Sequence, residues 1–411
     1  MNRQNVAPAS HPAALFELRQ SLDEAYSPTA PVTRRDLFAG RHRQLQALIQ
    51  VMAHPGQHAV LFGERGVGKT SLVSMLAKFT AARFSVIRVS AAANDEFTTL
   101  WRKVAACLTG SSPLPSGQGD PLTPQGAVGL LSSLGADEPL VVIIDEFDCI
   151  VSPRVRALMA DTLRVLSDQA DHVTVVLVGV ADDVPSLIHA HPCVDRAVVP
   201  VHLPRMAHAE LSEACSRSLV VAGMSAELLV IQRIATLSQG LPHFTHLLGR
   251  GAACIAGQEH QSHITLAHLD ASVAVAIGHA SENVRLAYEQ SIVRARRGIY
   301  PEILLAAVLS ERDDHGAFSV AAVRDMLERI VRREVRGLTN QIAALSEAGR
   351  GGALQKFGAG MTARFRFVNP SLEPFILMRG LEQGWATAGT PVWLPSMPQL
   401  VPMPSHQGKA A

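Results

Sequence analysis

The stretch Gly63-Glu64-Arg65-Gly66-Val67-Gly68-Lys69-Thr70 is a complete GxxxxGK[ST] phosphate-binding loop. It directly follows an apolar run, His58 to Phe62, and directly precedes the amphipathic stretch Ser71 to Phe79, so both flanks that the motif requires are present. The glycines let backbone N–H groups surround phosphate oxygens, and the helix N-terminus adds the positive end of its dipole. We therefore expect Lys69 to neutralise the β- and γ-phosphates, Thr70 to bind Mg²⁺, and the rest of the loop with Ser71 to hold the phosphates.

Five apolar runs of strand length, with helical stretches between them, predict the fold around this loop. Their centres lack polar alternation, which is typical of strands that are buried on both faces. Alternating strands and helices predict an α/β fold, a P-loop NTPase with a parallel sheet. The five runs are His58–Phe62, Phe84–Val89, Pro139–Ile144, Val173–Val178 and Val198–Leu203.

An acidic pair, Asp145-Glu146, ends the third run. At the carboxyl end of a buried strand, Asp145 would hold Mg²⁺ through water and Glu146 would orient and polarise the attacking water. The extra run at residues 84–89, between the loop and the acidic pair, also fits ATPases that insert a strand there. A GTPase normally needs no such second carboxylate, and the sequence has no guanine-recognition NKxD string. We therefore expect ATP and Mg²⁺ as ligands, unless the pair merely ends a strand in a polar loop.

The composition narrows the classes of partner. With 37 Lys and Arg residues against 36 Asp and Glu residues, the 411-residue chain has a formal net charge of +1. No field over the whole molecule attracts polyanions, so any nucleic-acid contact must be a local patch. Five cysteines without metal-ligand spacing indicate reduced thiols, and no apolar run approaches the ~20 residues of a membrane helix. We expect a soluble, cytoplasmic protein with no membrane partner.

The chain is expected to contain five segments. Residues 31–205 form the nucleotide-binding α/β domain, residues 206–281 a helical lid, and residues 282–384 a winged-helix domain; residues 1–30 and 385–411 are expected to be disordered. For residues 206–281 the pattern itself predicts a small all-helical domain, and its interpretation as a lid is what a family resemblance implies. Its four helical segments are Glu210–Ala222, Ala226–Leu237, His243–Ala256 and Leu266–Ile277. In the C-terminal domain the pattern predicts helices at Pro301–Leu309, Val320–Ile330 and Glu334–Ser346, and short strands near Leu354 and Phe365.

The C-terminal domain carries a candidate DNA surface. In the predicted helix from Glu334, apolar residues recur at three- and four-residue steps and define a core face. In Arg364-Phe365-Arg366-Phe367 the phenylalanines alternate inward and the arginines outward. Residues 324–366 contain nine basic and four acidic residues, a balance of +5. The candidate contacts to phosphates and base edges of double-stranded DNA are Arg333, Arg336, Asn340, Lys356, Arg364 and Arg366.

Several stretches together resemble the AAA+ ATPases: the phosphate loop, the DEFD strand end, VVLVGVADD, HPCVDRAVVPVHLPRM and GLPHF. More narrowly, Leu37-Phe38-Ala39-Gly40-Arg41 with Leu45 resembles the FxGRxxxL box of origin-recognition-like, initiator-type members, including their bacterial relatives. Arginine outnumbers lysine 32 to 5, a habit common in GC-rich bacterial genomes, so we expect a bacterial member. The similarity covers residues 36 to 280, and more loosely to 384.

The resemblance implies roles for residues outside the loop. Leu37, Phe38 and Gly40 would wall the adenine, and Ser90, which ends the second predicted strand, would restrain the catalytic Glu146.

Four further positions correspond to the sensors and the arginine finger of these ATPases. Asp182 falls where the family carries its first sensor, usually Asn, and Arg196 falls where a neighbouring subunit's arginine finger is expected, with Arg205 as its rival. An arginine finger acts only across an interface, so this interpretation requires a homo-oligomer. His243 stands where a second sensor arginine is often found, and it is uncharged near pH 7 unless its pKa is raised. The two departures predict slow hydrolysis or nucleotide-gated switching.

Two functions from different classes remain open, beside a third, weaker possibility, a degenerate ATPase that serves as a scaffold, which Asp182 and His243 suggest. The first is an ATP-binding and ATP-hydrolysing oligomeric switch that binds DNA through its winged helix. The second is a nucleotide-gated protein-interaction switch that controls a separate partner such as a transposase, nuclease or defence effector, since in signalling ATPases of the wider superfamily a winged helix packs on the nucleotide domain without touching DNA.

Overall fold

The structure, a computed structural model, describes residues 12–28, 30–32, 34–110, 121–133, 139–170, 172–188, 196–293, 299–313, 316–358 and 360–383. The chain forms two compact units, one of residues 31–206 and the other of the residues before 31 together with those after 206. We call them the sheet unit and the helical unit. The tail at 385–411, for which disorder is predicted, lies outside the described residues. In the described part, no helix is both long enough and apolar enough to cross a membrane.

A five-stranded parallel sheet forms the centre of the sheet unit, in the order β2-β3-β4-β1-β5. Its strands are β1 (His58–Gly63), β2 (Ser85–Ser90), β3 (Leu140–Asp145), β4 (Val173–Val180) and β5 (Val198–His202). All five coincide with the predicted apolar runs, and the predicted α/β fold is confirmed. Because the strands are parallel, their carboxyl ends meet at one edge of the sheet, where ligands of open α/β sheets bind.

The second strand differs from its prediction in two respects. It lies at the edge of the sheet, so the strand placed between β1 and β3 is β4 rather than β2. Its residues are alternately exposed and buried, with Ile87 and Val89 inward, whereas every residue of β1 and β3 is buried. An edge strand needs an apolar face on one side only, and the polar positions Arg88 and Ser90 become available for other contacts.

Helices cover both faces of this sheet and close its core. They are α2 (His42–Ala53), α3 (Lys69–Thr80), α4 (Phe97–Thr109), α5 (Pro124–Ser133), α6 (Pro153–Gln169) and the short α7 (Val184–Leu187), α1 being part of the helical unit. Trp101 of α4, Met159 of α6 and Phe147 after β3 are completely buried against the sheet. The core thus holds β1 and β3 rigidly, and both strands end at the candidate site.

The helical unit contains all four helices predicted for the lid. They are α8 (His208–Val221), α9 (Leu228–Leu237), α10 (Pro242–Gln258) and α11 (Leu266–Gly278), with the two-residue strands β6 (Ser225–Ala226) and β7 (His263–Ile264) paired between them. The apolar stripes of these helices meet in one core that includes Val230, Leu248 and Leu269, all fully buried.

The predicted disorder of residues 1–30 is wrong for residues 12–25, which form the helix α1 (Pro12–Ala25). This helix packs on α8 and α10 of the helical unit. Leu22, Ala25 and Tyr26 are almost completely buried. These apolar positions recur at three- and four-residue steps with Leu18, a helical stripe that needs a partner to be stable. The tertiary contact, rather than the short sequence itself, makes this helix persist.

The C-terminal region, residues 282–383, adds helices and a small antiparallel sheet of order β8-β10-β9. Its elements are α12 (Glu282–Val293), α13 (Tyr300–Leu309), β8 (Phe318–Ser319), α14 (Val320–Val331), α15 (Leu338–Ala344), β9 (Leu354–Phe357), β10 (Arg364–Phe367) and α16 (Leu372–Glu382). The three predicted helices and two predicted strands are present, whereas β8 and α16 were not predicted. All of residues 282–383 lie within the helical unit.

The helix predicted at Glu334–Ser346 is shorter than expected, because α15 begins only at Leu338. Arg332 and Gly337 adopt left-handed backbone conformations, with φ of 53° and 73°, and end the helical path on both sides of the intervening turn. The predicted core face is nevertheless buried, including Val335 before the helix and Ile342 within it. Arg333 and Arg336 therefore lie on the turn before α15 and not on the helix.

Candidate nucleotide-binding site

The phosphate loop leaves β1 at Gly63, and three of its positions require glycine. Gly63 has φ of 153°, and a Cβ there would lie 2.3 Å from the Leu203 carbonyl oxygen. Gly66 and Gly68 have φ of 87° and 98°, values that L side chains rarely adopt. The loop then enters α3 at Lys69, so backbone N–H groups and the helix N-terminus converge where phosphates would bind.

Lys69 is held inside the loop that it belongs to. Its Nζ donates to the carbonyl oxygens of Gly63, at 2.9 Å, and of Glu64, at 2.7 Å. The side chain is 9% exposed. Burial lowers the pKa of the ammonium to about 8, although the carboxylates of Asp148 and Asp145 oppose that shift. The cation is thus desolvated and only weakly compensated, a state in which an incoming phosphate gains much of its charge interaction.

Thr70 and Asp145 lie side by side, as the two motifs predict. The Thr70 hydroxyl donates to Asp145 Oδ2 at 3.0 Å, and Asp145 is 3% exposed at the carboxyl end of β3. Hydroxyl and carboxylate oxygens are the donors that Mg²⁺ prefers. No group of three or more His, Cys, Asp or Glu side chains suited to a metal occurs among the described residues. A site with two protein oxygens fits Mg²⁺, which usually keeps several waters and is completed by substrate phosphates.

Glu146 follows directly and is exposed at the same edge of the sheet. Its backbone N–H donates to Asp145 Oδ1 at 2.9 Å. Its φ is 58°, so Glu146 is one of the few non-glycine residues in the described chain with a left-handed backbone conformation. Such a conformation costs on the order of 1 kcal/mol and persists only where surrounding structure imposes it. The hydrogen bond to Asp145 and the 3-10 turn Phe147–Cys149 that begins here impose it.

Arg88 joins this site without having been predicted. Its Nη2 donates to Asp145 Oδ2 at 2.7 Å, and its Nη1 donates to Ser74 Oγ on α3 at 2.8 Å. The pairing of β2 with β3 places Ser90 beside Asp145, so Arg88 on the same face of β2 reaches the same carboxylate. An arginine within an otherwise apolar run could have indicated that Arg88 has a role. Its partner could not be predicted, because the contact with Asp145 depends on the order and register of the strands.

Asp148, two residues after Glu146, was also not singled out in the sequence. Its Oδ1 accepts the backbone N–H of Val180 at 2.9 Å, which fastens the turn after β3 to the end of β4. Asp182 follows two residues later and is exposed. The candidate sensor position is therefore anchored to the same edge as Glu146.

The box before α2 reaches the loop through its arginine. Leu37 and Phe38 are buried, and Gly40 and Arg41 have φ of 62° and 61°. Arg41 is 6% exposed, and its Nη2 donates to the carbonyl oxygen of Val67 at 3.2 Å. The candidate adenine-wall residues are thus attached to the phosphate loop by a side chain that was quoted in the box without a role.

The two candidate finger arginines differ in their surroundings. Arg205 Nε forms an ion pair of 2.7 Å with Glu64 Oε2 of the loop in its own chain, and both side chains are about four-fifths buried. Arg196, two residues before β5, is exposed. Glu64, predicted only as part of the loop, therefore has a specific partner, and Arg205 is paired within its own chain.

Ser90 is the β2 partner of Asp145 in the sheet, whereas His243 belongs to the helical unit. His243 begins α10 in the helical unit, where its Nδ1 lies 2.5 Å from the carbonyl oxygen of Pro28. Ser90 is exposed, and its carbonyl oxygen lies 3.4 Å from Lys103 Nζ. The structure shows no hydrogen bond that joins either side chain to Glu146 among the described residues.

The six candidate DNA residues separate into two groups. Arg333, Arg336, Asn340 and Lys356 are exposed, and Arg336 is 90% exposed. Arg364 forms an ion pair of 2.8 Å with Asp313, and the Arg366 guanidinium lies 4.9 Å from the centre of the Phe357 ring. The two arginines of β10, Arg364 and Arg366, thus already have partners within the chain.

The glycine loop, buried lysine, threonine and acidic pair at one edge of a parallel sheet define a P-loop nucleotide-binding protein. The sequence profile of the family Novel STAND NTPase 1 matches residues 31–346. The chain therefore belongs to this family of NTPases. No curated protein matches the chain.

Three solved structures that resemble the chain are distant from it in sequence. The Orc1 protein of Aeropyrum pernix in complex with DNA is 16% identical, with 84% of this chain and 93% of that chain covered and a TM-score of 0.47. Cdc6p of Pyrobaculum aerophilum is 18% identical, with coverage of 87% and 98% and a TM-score of 0.46. The Holliday junction branch migration motor RuvB of Thermotoga maritima is 14% identical, with coverage of 85% and 97% and a TM-score of 0.45.

Proposed function

We propose that the protein is an ATP- and Mg²⁺-dependent switch that hydrolyses ATP slowly. The observation that carries this proposal is the convergence of Lys69, Thr70, Asp145 and Glu146 at one edge of the sheet, with Thr70 and Asp145 in hydrogen-bond contact. Phosphate loops occur in many enzymes, but a buried magnesium carboxylate followed by an exposed glutamate matches nucleotide hydrolysis.

Each residue has a defined task in this proposal. The loop N–H groups and Lys69 bind the β- and γ-phosphates, and Lys69 exchanges its carbonyl partners for phosphate oxygens. Thr70 would hold Mg²⁺ directly and Asp145 would hold it through water. When bound, Mg²⁺ neutralises phosphate charge and polarises the reacting phosphoryl group. Glu146 orients the attacking water and accepts its proton, since its carboxylate is exposed at this edge of the sheet.

The base and the neighbouring subunit involve further residues. Leu37, Phe38 and Gly40 contact the adenine, which the Arg41 hydrogen bond to the loop keeps in register with the phosphates. Arg196, exposed before β5, contacts the γ-phosphate of a neighbouring copy in a homo-oligomer. Arg205 is the weaker candidate, because Glu64 holds it in its own chain.

Two residues favour slow turnover. Asp182 places a negative charge where a γ-phosphate sensor is usually neutral, which disfavours the phosphate unless water or Mg²⁺ lies between them. His243 takes the place of a cationic second sensor, and its Nδ1 is engaged by Pro28. A switch whose state depends on bound nucleotide needs long-lived complexes, so slow hydrolysis suits it.

For the output of the switch, we propose double-stranded DNA, bound by the C-terminal region acting as a winged helix in a cytoplasmic bacterial protein. The supporting observation is the exposed turn with Arg333 and Arg336, together with the exposed Asn340 of α15 and the exposed Lys356 of β9. Such residues contact phosphates without a desolvation cost. The competing output is a separate protein partner, which the partnered wing arginines Arg364 and Arg366 favour.

One experiment separates these proposals. ATP and GTP affinities would be measured by calorimetry with Mg²⁺, and ATP turnover would be measured with and without duplex DNA at several salt concentrations. The proposal expects ATP binding, slow turnover, and DNA binding whose strength falls steeply with salt. Equal affinity for GTP would exclude the adenine contacts, and nucleotide binding without any DNA binding would favour the protein partner.

A further inference from the structure

Four residues, among them the candidate magnesium ligands Thr70 and Asp145, form a closed ring of hydrogen bonds. Thr70 Oγ1 and Arg88 Nη2 both donate to Asp145 Oδ2, at 3.0 Å and 2.7 Å. Arg88 Nη1 donates to Ser74 Oγ at 2.8 Å, and Ser74 Oγ donates to the Thr70 carbonyl oxygen at 2.7 Å. We call this set of Thr70, Ser74, Arg88 and Asp145 the Arg88 ring. It links α3, β2 and β3 and contains one cation of the chain itself.

The hydrogen-bonding capacity of Asp145 is the key to this ring. Its Oδ1 accepts the Glu146 N–H, and its Oδ2 accepts two donors. A carboxylate oxygen has two lone-pair sites, so Oδ2 is full. Oδ1 keeps one open site, whereas Oδ2 is the oxygen that the Thr70 hydroxyl contacts. A Mg²⁺-bound water beside Thr70 that donates to Oδ2 needs one of its two sites. The Thr70 hydroxyl can keep donating while its oxygen binds the metal, so at Oδ2 Arg88 is the donor that has to leave.

Charge leads to the same conclusion. The Asp145 side chain is 4% exposed and that of Arg88 is 33% exposed, so solvent screens their ion pair only in part. A divalent cation beside the same oxygen would be repelled by the guanidinium. Arg88 stands on the edge strand, where its side chain can turn toward solvent and keep Ser74 as a partner.

We propose that Arg88 competes with Mg²⁺ for Asp145. In the metal-free state Arg88 is paired with the Asp145 carboxylate, and this pairing raises the Mg²⁺ concentration that nucleotide binding requires. The proposal rests on the proposed nucleotide site and adds to it a positioning residue that regulates metal binding. The opposite role, in which Arg88 merely orients Asp145 for the metal, requires that its removal weaken Mg²⁺ binding.

The test uses the full chain and a non-hydrolysable ATP analogue. Binding is measured by calorimetry over a series of buffered free Mg²⁺ concentrations for wild type, Arg88→Gln and the control Arg83→Gln, which removes the same charge from an exposed position of the sheet unit. We expect the Mg²⁺ concentration for half-maximal binding to fall about three- to tenfold in Arg88→Gln. Arg83→Gln should match wild type.

A second variant guards against misfolding. Ser74→Ala keeps the charge but removes the Nη1 partner, and it should shift the Mg²⁺ requirement in the same direction by a smaller factor; thermal melting with Mg²⁺ alone reports folding and metal binding together. An unchanged or higher Mg²⁺ requirement in Arg88→Gln, or in Ser74→Ala where Arg88→Gln does not fold, overturns the inference while the nucleotide site stands. Absence of analogue binding in wild type at every Mg²⁺ concentration overturns the proposed function as well.

Discussion

The phosphate site of the sheet unit and the basic turn of the C-terminal region use positive charge in opposite ways. Lys69 is 9% exposed, with its ammonium between two loop carbonyls, and Arg88 is paired to a carboxylate that is 4% exposed. Arg333 and Arg336 are exposed on a turn, and Arg336 Nε lies 3.9 Å from Oε1 of the exposed Glu334. A buried charge is costly unless its surroundings are arranged for it. The buried Lys69 and the pair of Arg88 with the buried Asp145 therefore select a ligand of one particular chemistry, whereas the exposed Arg333 and Arg336 select only for negative charge.

The largest effect on the phosphate site is expected from Glu146→Gln. Loss of the general base should lower the rate of ATP hydrolysis by roughly 10²–10⁴-fold, while ATP affinity stays near the wild-type value and the assembled state is trapped. Steady-state turnover and calorimetry measure the two quantities, and sizing chromatography with ATP measures assembly. The control is Glu96→Gln, an exposed glutamate of the same unit. Normal turnover in Glu146→Gln would remove this residue from the mechanism.

The next effect concerns Lys69. Its replacement by Ala should weaken ATP binding at least about 100-fold, because the phosphates lose their charge interaction with a buried ammonium. Lys78→Ala is the matched control, since this lysine is exposed on the same helix, α3. Calorimetric titration with ATP and Mg²⁺ decides. Equal ATP affinities in Lys69→Ala and Lys78→Ala would mean that the buried Lys69 contributes no more to ATP binding than an exposed lysine.

Acid should weaken both units, because each has a buried neutral histidine. Burial lowers the pKa of His58 in the sheet unit to about 4, and burial together with nearby His243 lowers that of His246 in the helical unit to about 4. The unfolded value is about 6.5, so below it the unfolded chain binds more protons and stability falls as pH decreases from about 6.5 to 4. The loss reaches up to about 3 kcal/mol per histidine.

Denaturant unfolding at several pH values measures this loss. His58→Gln should flatten the pH dependence of the sheet unit, and the exposed His54→Gln should leave it as in wild type. A pH profile that is unchanged by His58→Gln would show that this buried ring is not the group that titrates.

The smallest effect is expected from the basic turn. Arg333→Ala and Arg336→Ala should each weaken duplex DNA binding by about 1 kcal/mol or less and reduce the salt slope by about 1, similarly for all sequences, because exposed arginines contact phosphates rather than bases. Fluorescence anisotropy with duplex DNA at several salt concentrations measures both, with the exposed Arg19→Ala of α1 as control. A flat salt dependence in wild type would transfer the role of this turn to a protein partner.

Much of the site was accessible to sequence reasoning, because its parts are local motifs. The loop from Gly63 to Thr70 and the pair Asp145-Glu146 were found from spacing and from the strands before them, and the structure brings Thr70 and Asp145 together. Arg88, Asp148 and the Glu64–Arg205 ion pair were not found. Each of these contacts joins residues from different strands or loops, and nothing in their spacing along the chain identifies the partner.

The helix α15 and the first helix, α1, illustrate the same limit in the backbone. For α15, apolar steps of three and four residues identified the buried face, but the left-handed Arg332 and Gly337 moved the helix start to Leu338 and placed two arginines on a turn. For α1, the apolar stripe was short and became a helix by packing on α8 and α10.

Chemistry carried by consecutive residues, such as the phosphate loop and the acidic pair, follows from the amino-acid order, because bond geometry and strand direction suffice to aim those groups. Which cation meets Asp145 was settled by the sheet order β2-β3-β4 and its register, which place Arg88 against a carboxylate 57 residues away. Such contacts depend on free energies summed over the whole core, and no stretch of sequence contains that sum.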